Sequence, residues 1–251
     1  MEIGIDSFAA ILPDPDTGSM IRRLKPIGTP GHILGTDDLG RDMLSRLIHG
    51  ARITPIIGLL PIIFAYLIAI VLGTVAGYVG GIVNSVIMRV VDVFFAFPSV
   101  LLAIAISGAL GSGVVNIIIS LTIVFVPPLT RVAESAAASV RNLDYVEAAR
   151  ASGAGALTIL RVHVLRNIVW PVIGYATSMA SIAMIIASGL SFLGIGVKPP
   201  TAELGTMLNS LKSAIYVNPV IAALPGALIF LTSLSLNVLS DRIRRGMNAR
   251  Y

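Results

Sequence analysis

Long uncharged runs alternate with short charge-bearing stretches along this chain. Between Ile53 and Thr130 the only Asp, Glu, Lys or Arg residues are Arg89 and Asp92, and Ile168–Val197 and Ser213–Ser240 hold none. Such runs exceed the roughly 20 apolar residues that cross a hydrocarbon core of about 30 Å, and buried helices of water-soluble proteins rarely sustain them. Five spans are predicted. The first runs from about Ile53 to Val79 and is closed by Gly80-Gly81; the second runs from about Ile82 to Leu110. After the Gly111-Ser112-Gly113 turn, the third covers about Val114 to Thr130. The fourth covers about Ile168 to Ile195, ending at Gly194, Gly196 and Pro199-Pro200, which a helix does not easily cross. The fifth covers about Val217 to Ser240, before Asp241 and an Arg-rich tail. The pattern is that of an all-α, polytopic membrane helical bundle.

The connecting segments have patterns of their own. Arg131 to Asn167 reads as a polar helical stretch, with one helix through Asp144–Ser152, a stop at Gly153 and Gly155, and a second helix from Ala156 to about Leu165. Leu157, Leu160 and Val164 give that second helix one apolar face. A helix–glycine–helix elbow outside the bilayer suits docking in another protein's groove, although a plain cytoplasmic loop has the same periodicity. Ahead of the first span, Thr36 and Asp37 are good N-caps, and Leu39, Met43, Leu44, Leu47 and Ile48 recur near helical spacing. This predicts an amphipathic helix at the outer interface, either a surface anchor or part of a gate or landing site. Leu204, Met207, Leu208, Leu211 and Ile215 form a similar stripe beside Glu203, Asn209 and Lys212, as expected of a surface helix on the outer face.

Composition sharpens the class. Apolar residues are 55% of the 251 and charged ones 12%, against about 25% charged in soluble domains, and mean hydropathy is +0.90. The absence of cysteine removes disulfide scaffolds, thiolate catalysis, iron–sulfur ligation and Cys-bearing zinc sites. The net charge of +5 is dispersed beside the spans, and no basic stripe with interleaved aromatics exists to grip nucleic acid. Five arginines in 131–167 and four in 241–251 place both segments in the cytoplasm. Counting back three spans leaves residues 1–52 outside, although their own six basic residues blunt that rule.

Inside the spans, Arg89 and Asp92 stand at i and i+3 on one helix face. They predict an intramembrane ion pair, read either as functional or as a structural bridge near the cytoplasmic interface. Gly73, Gly77 and Gly81, extended back to Ala69, form a small-xxx-small row for close helix packing, within the chain or against a second subunit. His32, His49 and His163 are far apart and lack H-x₃-H or HExxH spacing, so no metal site is expected. His32 and His49 remain conceivable at a substrate mouth if the cargo is a metal chelate.

Several of these segments resemble one family. Glu147-Ala148-Ala149-x-x-x-Gly153, followed by His163-Val164-Leu165, is similar to the EAA motif of ABC-importer permeases. Leu34-Gly35-Thr36-Asp37-Asp38-Leu39-Gly40-Arg41-Asp42 precedes it, as does Met88-Arg89-Val90-Val91-Asp92 continuing to Phe97-Pro98. Leu190–Val197 with Pro199-Pro200 follows it. In this order the four blocks resemble the dipeptide/oligopeptide/nickel branch, in its second-permease, or C-type, line. The resemblance implies a type I importer transmembrane-domain fold. It divides the chain into an extracytoplasmic segment with an interfacial helix, residues 1–52, and a transmembrane domain, 53–251, with a cytoplasmic coupling loop at 131–167.

The resemblance also implies roles. Glu147, Ala148, Ala149, Gly153, Val164 and Leu165 would form the loop that docks on an ATPase. Asp37, Gly40, Arg41, Asp42 and Glu203 would lie on the gate or binding-protein side. Implied partners are a second homologous permease, two ATPase subunits that bind Mg-ATP, an extracytoplasmic binding protein and the bilayer. The chain itself would bind no cofactor or metal and catalyse nothing. Its cargo would be di- or oligopeptides or a nickel chelate, and its site the bacterial inner membrane.

Two departures stand out. Arg166 occupies the family's usual proline position, which removes a helix-breaking constraint. Members also have six spans, and Phe8–Pro15 resembles the exit of the first, whose body is expected to be missing. The parity agrees, because an outside N-terminus on an odd number of spans needs an exporting segment, and Met1–Ser19 has no signal-peptide pattern.

Other classes fit less of the chain. The sequence has no GxxxxGK[ST] loop to cradle ATP phosphates, so energy must come from elsewhere. A secondary transporter or channel predicts intramembrane carboxylates or repeats, and only Asp92 qualifies. An intramembrane enzyme predicts HExxH or GxSxG, and neither occurs.

Overall fold

The computed structural model describes residues 13–248. The proposed span exit at Phe8–Pro15 therefore lies mostly outside the described residues, as does Arg250. Helices account for most of the rest, with isolated bridges at Thr29–His32 and Thr36–Asp42.

Helix α1, Met43–Val79, is 37 residues long, about 55 Å at 1.5 Å per residue. Asp42 caps it, its Oδ2 accepting the Ser45 N–H at 2.8 Å. The predicted interfacial helix is thus neither separate nor begun at Thr36. Its apolar positions from Met43 onward are the first turns of α1, whereas Leu39 lies in a loop and is exposed. The cause is local. The Asp37 carboxylate closes on the Leu39 and Arg41 amides in a turn, and Gly40 has φ +73°, where a Cβ would collide with the Ser19 carbonyl.

The predicted second span is two helices, α2 (Gly81–Phe95) and α3 (Ser99–Leu110), bent by 87°. Pro98 lacks an N–H and biases Phe97 away from helical angles. Helix α4, Val114–Val140, contains Pro127 and Pro128 and continues ten residues past Thr130, carrying the third span into the polar stretch. Helix α5 is Asp144–Ala151. Helix α6, Ala156–Phe192, joins the elbow's second helix to the fourth span without interruption through Arg166, by way of a π-helical stretch at Ile159–Val164. Helix α7 is Leu204–Ser210, and α8, Pro219–Asn248, contains Pro225. Among the described residues four helices are long and apolar enough to cross a membrane, and the bent pair α2–α3, counted as one span, makes five.

The chain divides into two compact units. The first comprises Met1–Gly58, Ile106–Ile117 and Met184–Ser235. Its core packs Met43 and Leu47 against Leu204, Met207, Leu211 and Ile221. The stripe read as a surface helix is therefore mostly interior, and only Ile215 is exposed.

The second unit comprises Leu59–Ala105, Ile118–Ala183 and Leu236–Tyr251. Here α1 lies against α4 at very short range. A Cβ on Gly77 would fall 2.5 Å from the Glu134 carbonyl and 2.7 Å from the Ala137 Cβ, and one on Gly73 would be 2.7 Å from the Glu134 amide. Ala69, Ala133 and Ala137 are fully buried beside them. The glycine row thus packs within the chain. Gly81 does not belong to it: nothing lies within 4 Å of its would-be Cβ, and it starts α2.

Gly73→Ala should destabilise the purified protein by about 1–3 kcal/mol through overpacking. Gly108→Ala, exposed in α3 with nothing within 4 Å, should be neutral or raise the melting temperature. Equal melting of the two variants would contradict this packing.

Candidate functional site

Two clusters carry the predicted site residues. The first, in the unit that holds residues 13–58, is an ion and hydrogen-bond network around Asp37. Its carboxylate accepts from the Leu39 N–H at 2.9 Å, the Arg41 N–H at 2.8 Å and the Arg41 Nε at 2.7 Å, with the Arg46 Nε 3.4 Å away. Asp42 pairs through Oδ1 with the His32 Nδ1 at 2.9 Å while its other oxygen caps α1. Arg46, absent from the predicted set, donates to the Pro15 carbonyl at 2.9 Å, to Asp16 at 3.1 Å and to the Pro200 carbonyl at 3.3 Å. Its position on a polar face of α1 was the available signal. Burial, with the neighbouring Asp37 charge, pushes the Asp38 carboxyl above its ordinary pKa.

Glu203 does comparable work at α7. Its carboxylate accepts from the Gly205 and Thr206 amides at 2.9 and 2.8 Å and from the Thr54 hydroxyl at 3.0 Å. Asp37, Arg41, Asp42 and Glu203 are all buried. Their side chains build the scaffold of this block, and a docking protein would meet the surface they hold in place.

The second cluster is the elbow. Asp144 and Glu147 occupy the first turn of α5, where carboxylates complement the helix dipole, and Arg150 the last. Gly153, φ +82°, ends the helix: its N–H bonds the Arg150 carbonyl and the Ala154 N–H the Ala149 carbonyl, both at 3.1 Å. This paired closure requires a left-handed residue at Gly153 and leaves the turn sharp. Val146, Ile159 and Val164 are buried and anchor the elbow, Leu165 and Ala149 are half-buried, and Glu147, Ala148 and Arg150 face outward. Leu157, expected on the buried face, is 69% exposed. Val164, of the same expected face, is buried, and the π-helical stretch brings Ile159, five residues before it, to the inner side as well.

Residues missed from sequence stand behind the elbow. The Tyr145 hydroxyl accepts from the Asn167 Nδ2 at 3.0 Å, and its ring lies 6.1 Å from that of His163. Tyr145 and Asn167 border a cavity of about 650 Å³ that Trp170, Tyr175 and Arg244 also line. His49 bonds the Ser45 carbonyl at 2.9 Å. Among the described residues no three His, Asp or Glu side chains converge as metal ligands.

The intramembrane pair differs from expectation. Asp92 binds Arg131 at 2.5 Å, not Arg89, and the Arg131 guanidinium lies 4.8 Å from the centre of the Phe95 ring. Arg89 is exposed and makes no ion pair among the described residues. Helix α4 supplies the nearer cation because it extends beyond the predicted end of the third span.

Asp37→Ala should cost this block about 3–5 kcal/mol by stranding buried Arg41. Hydrogen exchange would read this as lost protection at the Leu39 and Arg41 amides, and unchanged protection would refute the network's role.

Residues 69–251 match the family described as binding-protein-dependent transport system inner membrane component. The chain is 42% identical over 223 residues to the di/tripeptide transport system permease protein DppC of Pseudomonas aeruginosa (strain UCBPP-PA14), covering 89% of this chain and 74% of that protein. It is 37% identical over 228 residues to the glutathione transport system permease protein GsiD of Pectobacterium atrosepticum, covering 91% and 76%. In fold it is similar to a chain of the MetNI methionine ABC transporter in an inward-facing conformation, with a TM-score of 0.65, 20% identity and coverage of 82% and 97%.

Proposed function

The chain belongs to the family of binding-protein-dependent transport system inner membrane components, and from that premise we propose a division of labour for its parts. It is a multi-pass inner-membrane transport component and not an enzyme, with the fold of an ABC-importer transmembrane domain. In the proposed reading it is one of two homologous permeases, served by two ATPase subunits that bind Mg-ATP and by an extracytoplasmic binding protein. Its cargo is di- or oligopeptides or related small solutes. Relatives named for di/tripeptides and for glutathione favour that class over a nickel chelate.

The observation that carries this reading is the elbow. Val146, Ile159 and Val164 tie it down from inside, Gly153 fixes its angle, and Glu147 and Ala148 stand outward on α5. A small helical face that presents Glu147, with Asp144 and Arg150 also exposed, fits a groove in a partner. Because α6 continues from the elbow into the fourth span, with Pro171 inside it, movement of a docked elbow is passed directly to a membrane-spanning helix. In this reading residues 1–52, with the network of Asp37, Gly40, Arg41 and Asp42, and Glu203 of α7 form the side that receives the binding protein. Residues 53–251 then serve as the transmembrane domain, with 131–167 as its coupling loop.

In the reconstituted importer, Glu147→Ala and Gly153→Val should leave membrane insertion intact. Uptake per ATP hydrolysed should fall by about tenfold, the loss of one or two charge-assisted contacts. Normal coupled uptake in both variants would overturn the elbow's assignment.

A further inference from the structure

Two backbone interruptions in otherwise apolar helices meet at one cavity. In α4, Pro127 and Pro128 lack the N–H groups that would close onto the carbonyls of Ile123 and Val124. Across the α2–α3 break, the amides of Ala96, Phe97 and Leu102 bond the carbonyls of Asp92, Phe94 and Pro98 at 2.9, 3.3 and 3.0 Å. No backbone bond between elements reaches the carbonyls of Phe95, Ala96 or Phe97 among the described residues. The cavity, about 360 Å³, is walled by Phe94, Phe95, Phe97, Pro127, Pro128 and Met179. Pro127 lies about 20 Å along α4 from Val114, within a helix long and apolar enough to cross a bilayer core of about 30 Å.

Open carbonyls at that depth cost several kcal/mol each in lipid, and irregular backbone persists there only against protein or a cavity with polar contents. The lining defines what those contents are. Carbonyl oxygens accept and do not donate, and aromatic faces carry negative potential. Both favour a cation with N–H donors. The Phe95 ring already holds one cation, the Arg131 guanidinium, whose charge Asp92 balances from the side.

We propose that this cavity is a transit subsite for the ammonium end of the cargo, held by carbonyls freed at the α2–α3 break and at Pro127-Pro128 and by the faces of Phe94 and Phe97. The proposal rests on the peptide-importer reading above and adds the place and polarity of contact within this chain. It differs from a docking surface for a second subunit, which would seal the cavity with apolar side chains and leave the carbonyls without donors.

The test uses the complete importer with its binding protein in proteoliposomes. The double variant Pro127→Ala/Pro128→Ala returns two N–H donors to α4, and Phe97→Leu keeps apolar bulk while removing a ring face. A variant that fails to assemble is replaced as evidence by the other. Dipeptide uptake per ATP should fall about tenfold in each variant, the worth of one or two charged hydrogen bonds, while ATPase stimulation by the loaded binding protein is retained. Phe97→Tyr should restore uptake. The probe n-butylammonium should inhibit wild-type uptake where n-butanol does not, and inhibition should weaken about fivefold or more in the double variant. Wild-type uptake in both variants, or equal inhibition of wild type and double variant, would overturn the subsite. Absence of dipeptide uptake by the wild-type importer would instead overturn the peptide reading itself.

Discussion

Backbone N–H and C=O groups have no water to bond inside a hydrocarbon layer, so every spanning segment must close its bonds within its own helix. That constraint explains why α1, α4, α6 and α8 run for 27 to 37 residues with few interruptions. It also makes the exceptions informative. The α2–α3 break and the paired prolines of α4 interrupt that closure, and residues from both line one cavity. Outside the spans, carboxylates take over the same duty: Asp37, Asp42 and Glu203 each accept backbone amides that no helix turn closes.

Close packing is the second requirement, since apolar side chains gain little by leaving lipid for one another. Gly73 and Gly77 let α1 approach α4 until a single methyl group would collide. The contact brings polar groups together as well. Asn84 donates to Glu134 at 2.6 Å, beside the glycine seam, and Asp92 meets Arg131 farther along α2. The same elements thus combine small-residue packing with polar pairs that α4 makes to α2.

Much of this was legible beforehand because it depends on periods and absences of charge. Five apolar runs, the Gly153 stop and the charge asymmetry require no tertiary knowledge. What sequence spacing missed depended on partners. Asp92 was matched with its nearest cation along the chain, Arg89, whereas the fold supplies Arg131 from a helix that outlasts its apolar segment. Leu157 followed a 3.6-residue period that the π-helical stretch from Ile159 shifts. Asp37 read as a helix cap, and it does cap amides, but in a turn whose shape Gly40 sets. The acidic and basic residues around Asp37 suggested a contact surface, and their burial makes them a framework.

The account's central claim is that α5 and its glycine turn are the place where an ATPase engages this chain. The absence of cysteine allows a direct measurement: a single Ala148→Cys carrying a short crosslinker, in membranes holding the complete importer. The account predicts a crosslink to the ATPase subunit from Ala148 and none from a Val115→Cys control at the start of α4. An ATPase captured equally from both positions, or from neither, would contradict it.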